Sequence, residues 1–546
     1  MAMKQSITRR TFMKGTVAGA GLVPAAGAVM PGYGGSPERS APPESRSFDQ
    51  PPPPIPAKEI RQRVSAEMVV IGAGTSGLVC AAAAAEEGAD VVVIASSSAP
   101  VGRGGSVHAF NSRLMRSLGL PSDPAGEFKN EMKSHAYMID QDKWWLWARR
   151  SGEAMDWLID KMEAAGYRSV IERCNTDPEG IMTMHPGSHS WLGGGIRSAG
   201  RSQQLVVDVL ARAALAAGAR IFYDTRAVEL VGRADGTTGR VRAAVAKTPD
   251  GGYCLYEGAK AVVLATGDFR DEEMVARYCP QALPLVRDGA GIYEGDGHKM
   301  GLWVGAAWQK TVPNAPMLTG GAGPGTQPYR AFSGLVVNKN AVRYGNEDTL
   351  VSHAAAAQMR QPDRTAFAVW DSGYAEQAAP WTPVGAYYGG PTEVSVQSVA
   401  DGWEESVRAG AMVRASTLEG LARKLGLPPA PLGETVARYN RFSRTGIDED
   451  FGKRPGLLLA VERPPFFGER RNAPSLLCIS GGLQTNIRMQ VLDTGGRVIP
   501  GLYAVGTIVG DMYSGIYTFM EPGHNLGANC LTFGYLAGKG IARSGG

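Results

Sequence analysis

The chain has 546 residues, with 56 Lys and Arg against 52 Asp and Glu and a formal net charge of +4. Basic and acidic residues are interspersed, which excludes a basic stripe for nucleic acid. A composition of 44% hydrophobic and 20% charged residues suits a soluble enzyme long enough for two domains. Beyond residue 30 no apolar run is long enough to cross a membrane. The six cysteines form neither a C-x-x-C pair nor a C-x-x-C-H haem site. They read as single buried thiols, and any electrons must come from a separate protein.

Residues 1–30 read as a twin-arginine export signal: Arg9 and Arg10 with Phe12 and Lys14 precede a mild apolar run, and Ala26–Ala28 offers a small-residue cleavage site. This route carries folded proteins, so the expected location is periplasmic, extracellular or at the cell surface. Residues 31–63, rich in Pro, Ser and Gly, read as a disordered tether, with order beginning near Ala66.

"EMVVIGAGTSGLVCAAAAAEEGADVVVIASSS" then gives strand, glycine turn, Ala-rich helix and second strand. Gly72 permits the tight turn, Gly74 lets the backbone approach a pyrophosphate, and Gly77 allows close helix packing. Thr75 and Ser76 open the helix, whose free N–H groups face the anion. The second strand ends in Ala95, Ser96 and Ser97, where an acid for the ribose hydroxyls is expected. Further along, "QLVVDVLARAALAAGARIFYDTRAVELV" reads as helix then strands, "AKAVVLATGDF" as a buried strand, and "TLEGLARKLGL" and "GETVARYNRFSRTG" as helices. His185 and His189 have i,i+4 spacing but sit in a Pro/Gly stretch without a third ligand, so they read as surface loop histidines and no metal is assigned.

The blocks "GRGGSVHAFNS", "VVLATGDF", "YEGDGHKMGLWVGA", "VVNKNAVRYGNE", "SGGLQTN", "VIPGLYAVG" and "NLGANCLTFGYLAG" follow one another as they do in a flavoprotein superfamily. From about residue 66 to 543 the chain resembles the soluble fumarate reductases, urocanate reductases and ketosteroid dehydrogenases. The resemblance implies an α/β fold: a Rossmann-like FAD-binding domain (GR2-type nucleotide fold) at 64–310 and 481–546, with an inserted α+β capping domain at 311–480. It places FAD against Gly104, Gly105, Ser106, Val228, Ala265, Thr266, Gly267, Asp296, Gly506, Asn525, Leu526, Gly527, Asn529 and Leu531, with Ser96 and Ser97 at the ribose. His108 falls several residues past the histidine that membrane-bound relatives join to FAD, so the cofactor is expected to be non-covalent.

The family reduces or forms a C=C bond beside an electron-withdrawing group. The resemblance also shows what is missing. The fumarate-reductase acid falls on Val351, with His353 two residues on. The dicarboxylate-binding positions fall on Ala315, Gln327 and Pro328, Cys478 and Asn525. Fumarate is therefore not expected. The segment "GDMYSGIYTFMEPGHNLGAN" instead brings Tyr513, Tyr517, Glu521 and His524 to the place where ketosteroid dehydrogenases carry catalytic tyrosines. Tyr329 and Arg330 fall where the family's cap meets the flavin. The expected activity is FAD-dependent reduction of a neutral or mono-anionic acrylate or enone, fed by a cytochrome or FMN-type donor that provides the only link to the membrane. Two alternatives are a ketosteroid-type dehydrogenase working in the oxidative direction and a non-catalytic flavin electron carrier.

Overall fold

The computed structural model describes residues 47–172, 184–193, 202–232, 239–286, 293–320, 332, 334–378 and 395–544. Residues from Arg46 onward form one compact unit. Its elements are, in chain order, β1 (Ile60–Ile71), α1 (Thr75–Glu86), β2 (Val91–Ile94), β3 (Val107–His108), α2 (Pro124–Ser134), α3 (Gln141–Ala164), β4 (Arg168–Ile171), β5 (Ser188–Leu192), α4 (Gln203–Ala216), β6 (Arg220–Phe222), β7 (Arg226–Val231), β8 (Ala243–Lys247) and β9 (Tyr253–Leu264). They continue with α5 (Asp296–Trp303), β10 (Ala315–Thr319), β11 (Leu335–Asn338), α6 (Val351–Met359), β12 (Ala366–Asp371), α7 (Val396–Arg408), β13 (Val413–Ala415), α8 (Leu418–Leu425), α9 (Pro429–Thr445), β14 (Phe466–Arg470), β15 (Ser475–Ser480), β16 (Gln490–Leu492), β17 (Val498–Ala504) and α10 (Phe533–Arg543).

The main sheet runs β16-β17-β9-β1-β2-β6, with β8 and β7 added beside β9. Its centre is parallel: β1 pairs with β2 and β9, and β17 with β9. Val91–Ile94 are buried throughout, the mark of a strand covered on both faces. Helix α1 can lie close to this sheet because Gly77 has no side chain: a Cβ there would stand 1.9 Å from Gly72 O. The C-terminal β17 joins this sheet beside β9, and Gly534 and Gly538 let α10 pack closely on α1.

Strands β11-β12-β14-β13 form a separate antiparallel sheet. Period-two alternation sorts its side chains. Val337 and Val369 pack with Leu432 and Tyr439 of α9, while Val336 and Trp370 pack with Trp403 of α7. The buried Arg343 clamps this region through Asp448 (2.8 Å from both Nη1 and Nη2) and Glu347 (2.7 Å). Strands β10 and β15 pair antiparallel beside the main sheet's cavity.

Order begins earlier than Ala66. Phe48 is 2% exposed and its carbonyl accepts from Trp303 Nε1 at 2.9 Å. Ile55 N–H donates to Glu229 Oε2 at 2.9 Å, and ladder pairing starts at Ile60 opposite Tyr253. One buried aromatic and a strand edge outweigh the disorder-promoting composition. His189 is likewise not a surface residue. It lies on β5, fully buried, 2.6 Å from Ser112 Oγ and 2.7 Å from Gly187 O. No helix among the described residues is long and apolar enough to cross a membrane.

Candidate functional site

Where β1 runs into α1 the chain borders a cavity of about 400 Å³. Gly72 makes the turn at φ +120°, a value side chains rarely adopt. Gly74 caps α1 without any side-chain hydrogen bond, leaving the first N–H groups of the helix facing the cavity. A Cβ on Gly74 would meet no protein atom closer than 3.7 Å. The space in front of that helix end is therefore reserved for something other than protein. Thr266 Oγ1, at the cavity wall, is buried without a hydrogen-bond partner. A helix N-terminus, an unclaimed hydroxyl and a long lined groove fit a pyrophosphate-bearing dinucleotide.

Most of the predicted cofactor positions border this cavity: Gly72, Gly74, Thr75, Ser76, Ser96, Ser97, Gly104, Gly105, Ser106, Ala265, Thr266, Gly267, Asp296, Asn525 and Leu526. Six do not. Gly77 packs on the Gly72 carbonyl, Gly506 on Ser76 and Gly527 on the His108 carbonyl. Asn529 donates to Asn525 Oδ1 at 2.9 Å, orienting a lining residue, and Leu531 sits in the core. Val228 lies one residue past the lining stretch Thr225–Ala227 and packs against the cluster containing Val245 and Leu255. At the end of β2, Ser97 Oγ donates to Ala99 O at 2.8 Å and Ser96 is exposed.

Two lining arginines escaped the sequence reading. Arg103 is 2.7 Å from Asp268 and lies 3.9 Å over the Tyr293 ring. Arg226 is bidentate to Asp296, 2.8 Å at each contact. Arg103 adjoins the predicted Gly104–Ser106 stretch and Arg226 lies two residues before the predicted Val228, so their neighbourhoods were the available signal. Gln203, at the start of α4, accepts from Thr75 Oγ1 at 2.9 Å.

The tyrosine segment divides into a cavity face and a buried back. Tyr517 and Phe519 line the cavity. Tyr513 packs behind, 4.9 Å from Tyr517 and 4.9 Å from His524 by ring centroids, and His524 stacks on Trp147 at 4.1 Å. Burial raises the Tyr513 phenol well above its ordinary value, so it stays protonated. Asp511 and Phe519 carry positive φ (70° and 61°), and Asp511 Oδ1 ties the loop to the N–H groups of Lys310 (2.8 Å) and Thr311 (3.0 Å).

Glu521 and His524 do not reach the cavity, contrary to expectation. The turn at Gly523 is pressed against the Ser106 carbonyl, where no Cβ fits, and sends both side chains away. They meet Glu131 of α2 in the interior. His353, on α6, is also away from the cavity lining; burial lowers its imidazole, with His135 and Glu131 among its neighbours. Tyr329 and Arg330 lie outside the described residues.

At the positions aligned with the dicarboxylate clamp, Cys478 and Asn525 line the cavity and Ala315 is buried in β10. Burial pushes the Cys478 thiol up to about 12, so it is neutral. Asn525 Nδ2 donates to Thr507 Oγ1 at 3.0 Å.

A family model described as FAD binding domain matches residues 67–520. The chain belongs to the FAD binding domain family. It is 25% identical over 511 residues to a vinyl phenol reductase of Lactiplantibacillus plantarum, covering 88% of this chain and 96% of that one. A probable fumarate reductase of Shewanella frigidimarina is 25% identical over 501 residues, 88% of this chain and 75% of the other. The 3-ketosteroid-delta4-(5alpha)-dehydrogenase of Rhodococcus jostii superposes with a TM-score of 0.66 at 22% identity, covering 89% of this chain and 98% of that one, which establishes the shared fold. The chain is an FAD-dependent oxidoreductase acting on CH–CH groups.

Proposed function

We propose that this enzyme is an exported reductase of activated C=C bonds whose substrate is a neutral or mono-anionic aromatic alkene rather than a dicarboxylate. The observation that carries the reading is the state of the cavity's cations. Among the described residues the lining holds two arginines, and each is already paired, Arg103 with Asp268 and Arg226 with Asp296. A substrate with two carboxylates needs at least one cation free to meet them. The vinyl phenol reductase, whose named substrate carries no carboxylate, supports the same conclusion.

Gly72, Gly74, the α1 N-terminus and Thr266 would hold FAD, which when bound supplies the hydride. Tyr517, at the cavity wall, donates the proton to the other alkene carbon. Tyr513 packs behind it as a neutral phenol that does not border the cavity. Hydride plus proton complete the saturation of the double bond. The FAD is held non-covalently: His108 is fully buried between Phe110 and Trp147 and does not border the cavity. Electrons arrive from a separate cytochrome or FMN-type protein, and residues 1–30 direct export by the twin-arginine route.

The test is anaerobic oxidation of reduced viologen with 4-vinylphenol, cinnamate-type acrylates, steroid enones, urocanate and fumarate. Turnover of an aromatic alkene with fumarate inert supports the reading. Fast fumarate turnover overturns it. Oxidation of saturated ring ketones, with no alkene reduced, would favour the dehydrogenase direction.

A further inference from the structure

Behind the tyrosines lies a buried polar cluster that the reduction does not use. Glu131 of α2, Glu521 and His524 are at most 1% exposed, and one donor atom from each lies within 4.8 Å of the others. Both His524 ring nitrogens have no hydrogen-bond partner, and the Glu521 carboxyl has none besides Glu131. None of Glu127, Glu131 and Glu521 forms an ion pair with a Lys or Arg among the described residues; Glu127 lies near His108 and His185, and Glu131 near His135. Unsatisfied buried polar groups are destabilising, more so when charged, so their convergence at one point calls for an occupant.

We propose that Glu131, Glu521 and His524 bind a divalent first-row transition metal ion, Zn²⁺ being the probe. Two carboxylates balance the 2+ charge, and two oxygens with one imidazole nitrogen form a donor set such ions accept. The surroundings supply supports of the kind that orient ligands. Glu131 Oε2 stands 2.8 Å from His135 Nε2, and Glu131 Oε1 accepts from Thr518 Oγ1 at 2.5 Å. His524 is fixed by its stack on Trp147. A proton shared between Glu131 and Glu521 would neutralise the carboxylates but leave both nitrogens of His524 unsatisfied. A metal ion takes a lone pair from all three side chains together, one His524 nitrogen included.

The experiment uses the full FAD-loaded chain. It is stripped with a chelator, dialysed against Zn²⁺ and measured for metal by elemental analysis, with Co²⁺ visible absorption reporting tetrahedral coordination. The wild type should hold one ion per chain, and Glu521→Gln and His524→Gln should lose it while keeping FAD. His135→Asn should weaken binding roughly 10–100-fold without changing stoichiometry. A folded, FAD-loaded wild type that takes up no Zn²⁺ or Co²⁺ overturns the proposal and leaves the shared proton as occupant, as do variants that bind as tightly as wild type. Where the variants fail to fold, wild-type stoichiometry alone decides. Metal content is read without substrate, so failure here leaves the reductase reading untouched.

Discussion

Tyr517 faces the cavity while Tyr513 packs directly behind it, ring centroids 4.9 Å apart. This pairing gives the site a proton donor at its wall and a second phenol shielded from solvent. Tyr517→Phe should lower alkene-reduction kcat by roughly 10²–10⁴-fold, the usual worth of a general acid, with FAD content unchanged. Tyr513→Phe should cost less, because that side chain does not border the cavity. Equal full activity in both variants would move the donor elsewhere.

Two neighbouring glycines should fail differently. Gly74→Ala adds a methyl with no protein atom within 3.7 Å, so the fold should survive while FAD occupancy drops. Gly77→Ala places a methyl 1.9 Å from Gly72 O and should destabilise the apoprotein itself. Flavin absorbance per chain and thermal melting of stripped protein separate the two.

The pairing of Arg103 with Asp268 predicts a specificity change. Asp268→Asn frees a cation at the cavity wall, so kcat/KM for an anionic acrylate should rise relative to a neutral vinyl phenol. An unchanged ratio would show that the arginine does not meet substrate.

The Arg343–Asp448 clamp predicts an acid limb in stability. Burial acts to raise the Asp448 carboxyl, but hydrogen bonds from Arg343 and the Lys453 N–H outweigh it and bring it from 3.8 to about 2. The unfolded chain therefore binds the proton more readily. The stabilisation, about 2 kcal/mol, is complete above pH ~4 and is lost as pH falls towards 2. Chemical denaturation across this range should show a shallower acid decline in Asp448→Asn, which starts from lower stability at neutral pH.

The nucleotide-binding half was legible because its constraints are local: β-branched strand, glycine turn and helix occur within one stretch, and Gly72, Gly74 and Gly77 each have a distinct steric reason. The paired states of Arg103 and Arg226 were not legible, because Asp268 and Asp296 lie far away in sequence and meet them only through the sheet. Glu521 and His524 were found as residues but misplaced. Their direction depends on the turn at Gly523 against Ser106, a tertiary contact without a sequence period. Glu131 gave no signal at all, since a charged residue on an amphipathic helix ordinarily faces water. Phe48 shows the reverse error: composition spoke for disorder, and one aromatic side chain found a pocket.

The most direct measurement is anaerobic stopped-flow reoxidation of the reduced flavin by a single alkene, with 4-vinylphenol and fumarate compared on the same enzyme. The account predicts rapid reoxidation by 4-vinylphenol or a cinnamate-type acrylate and none by fumarate, with the fast phase abolished in Tyr517→Phe. Rapid reoxidation by fumarate, or a fast phase indifferent to Tyr517, would contradict it.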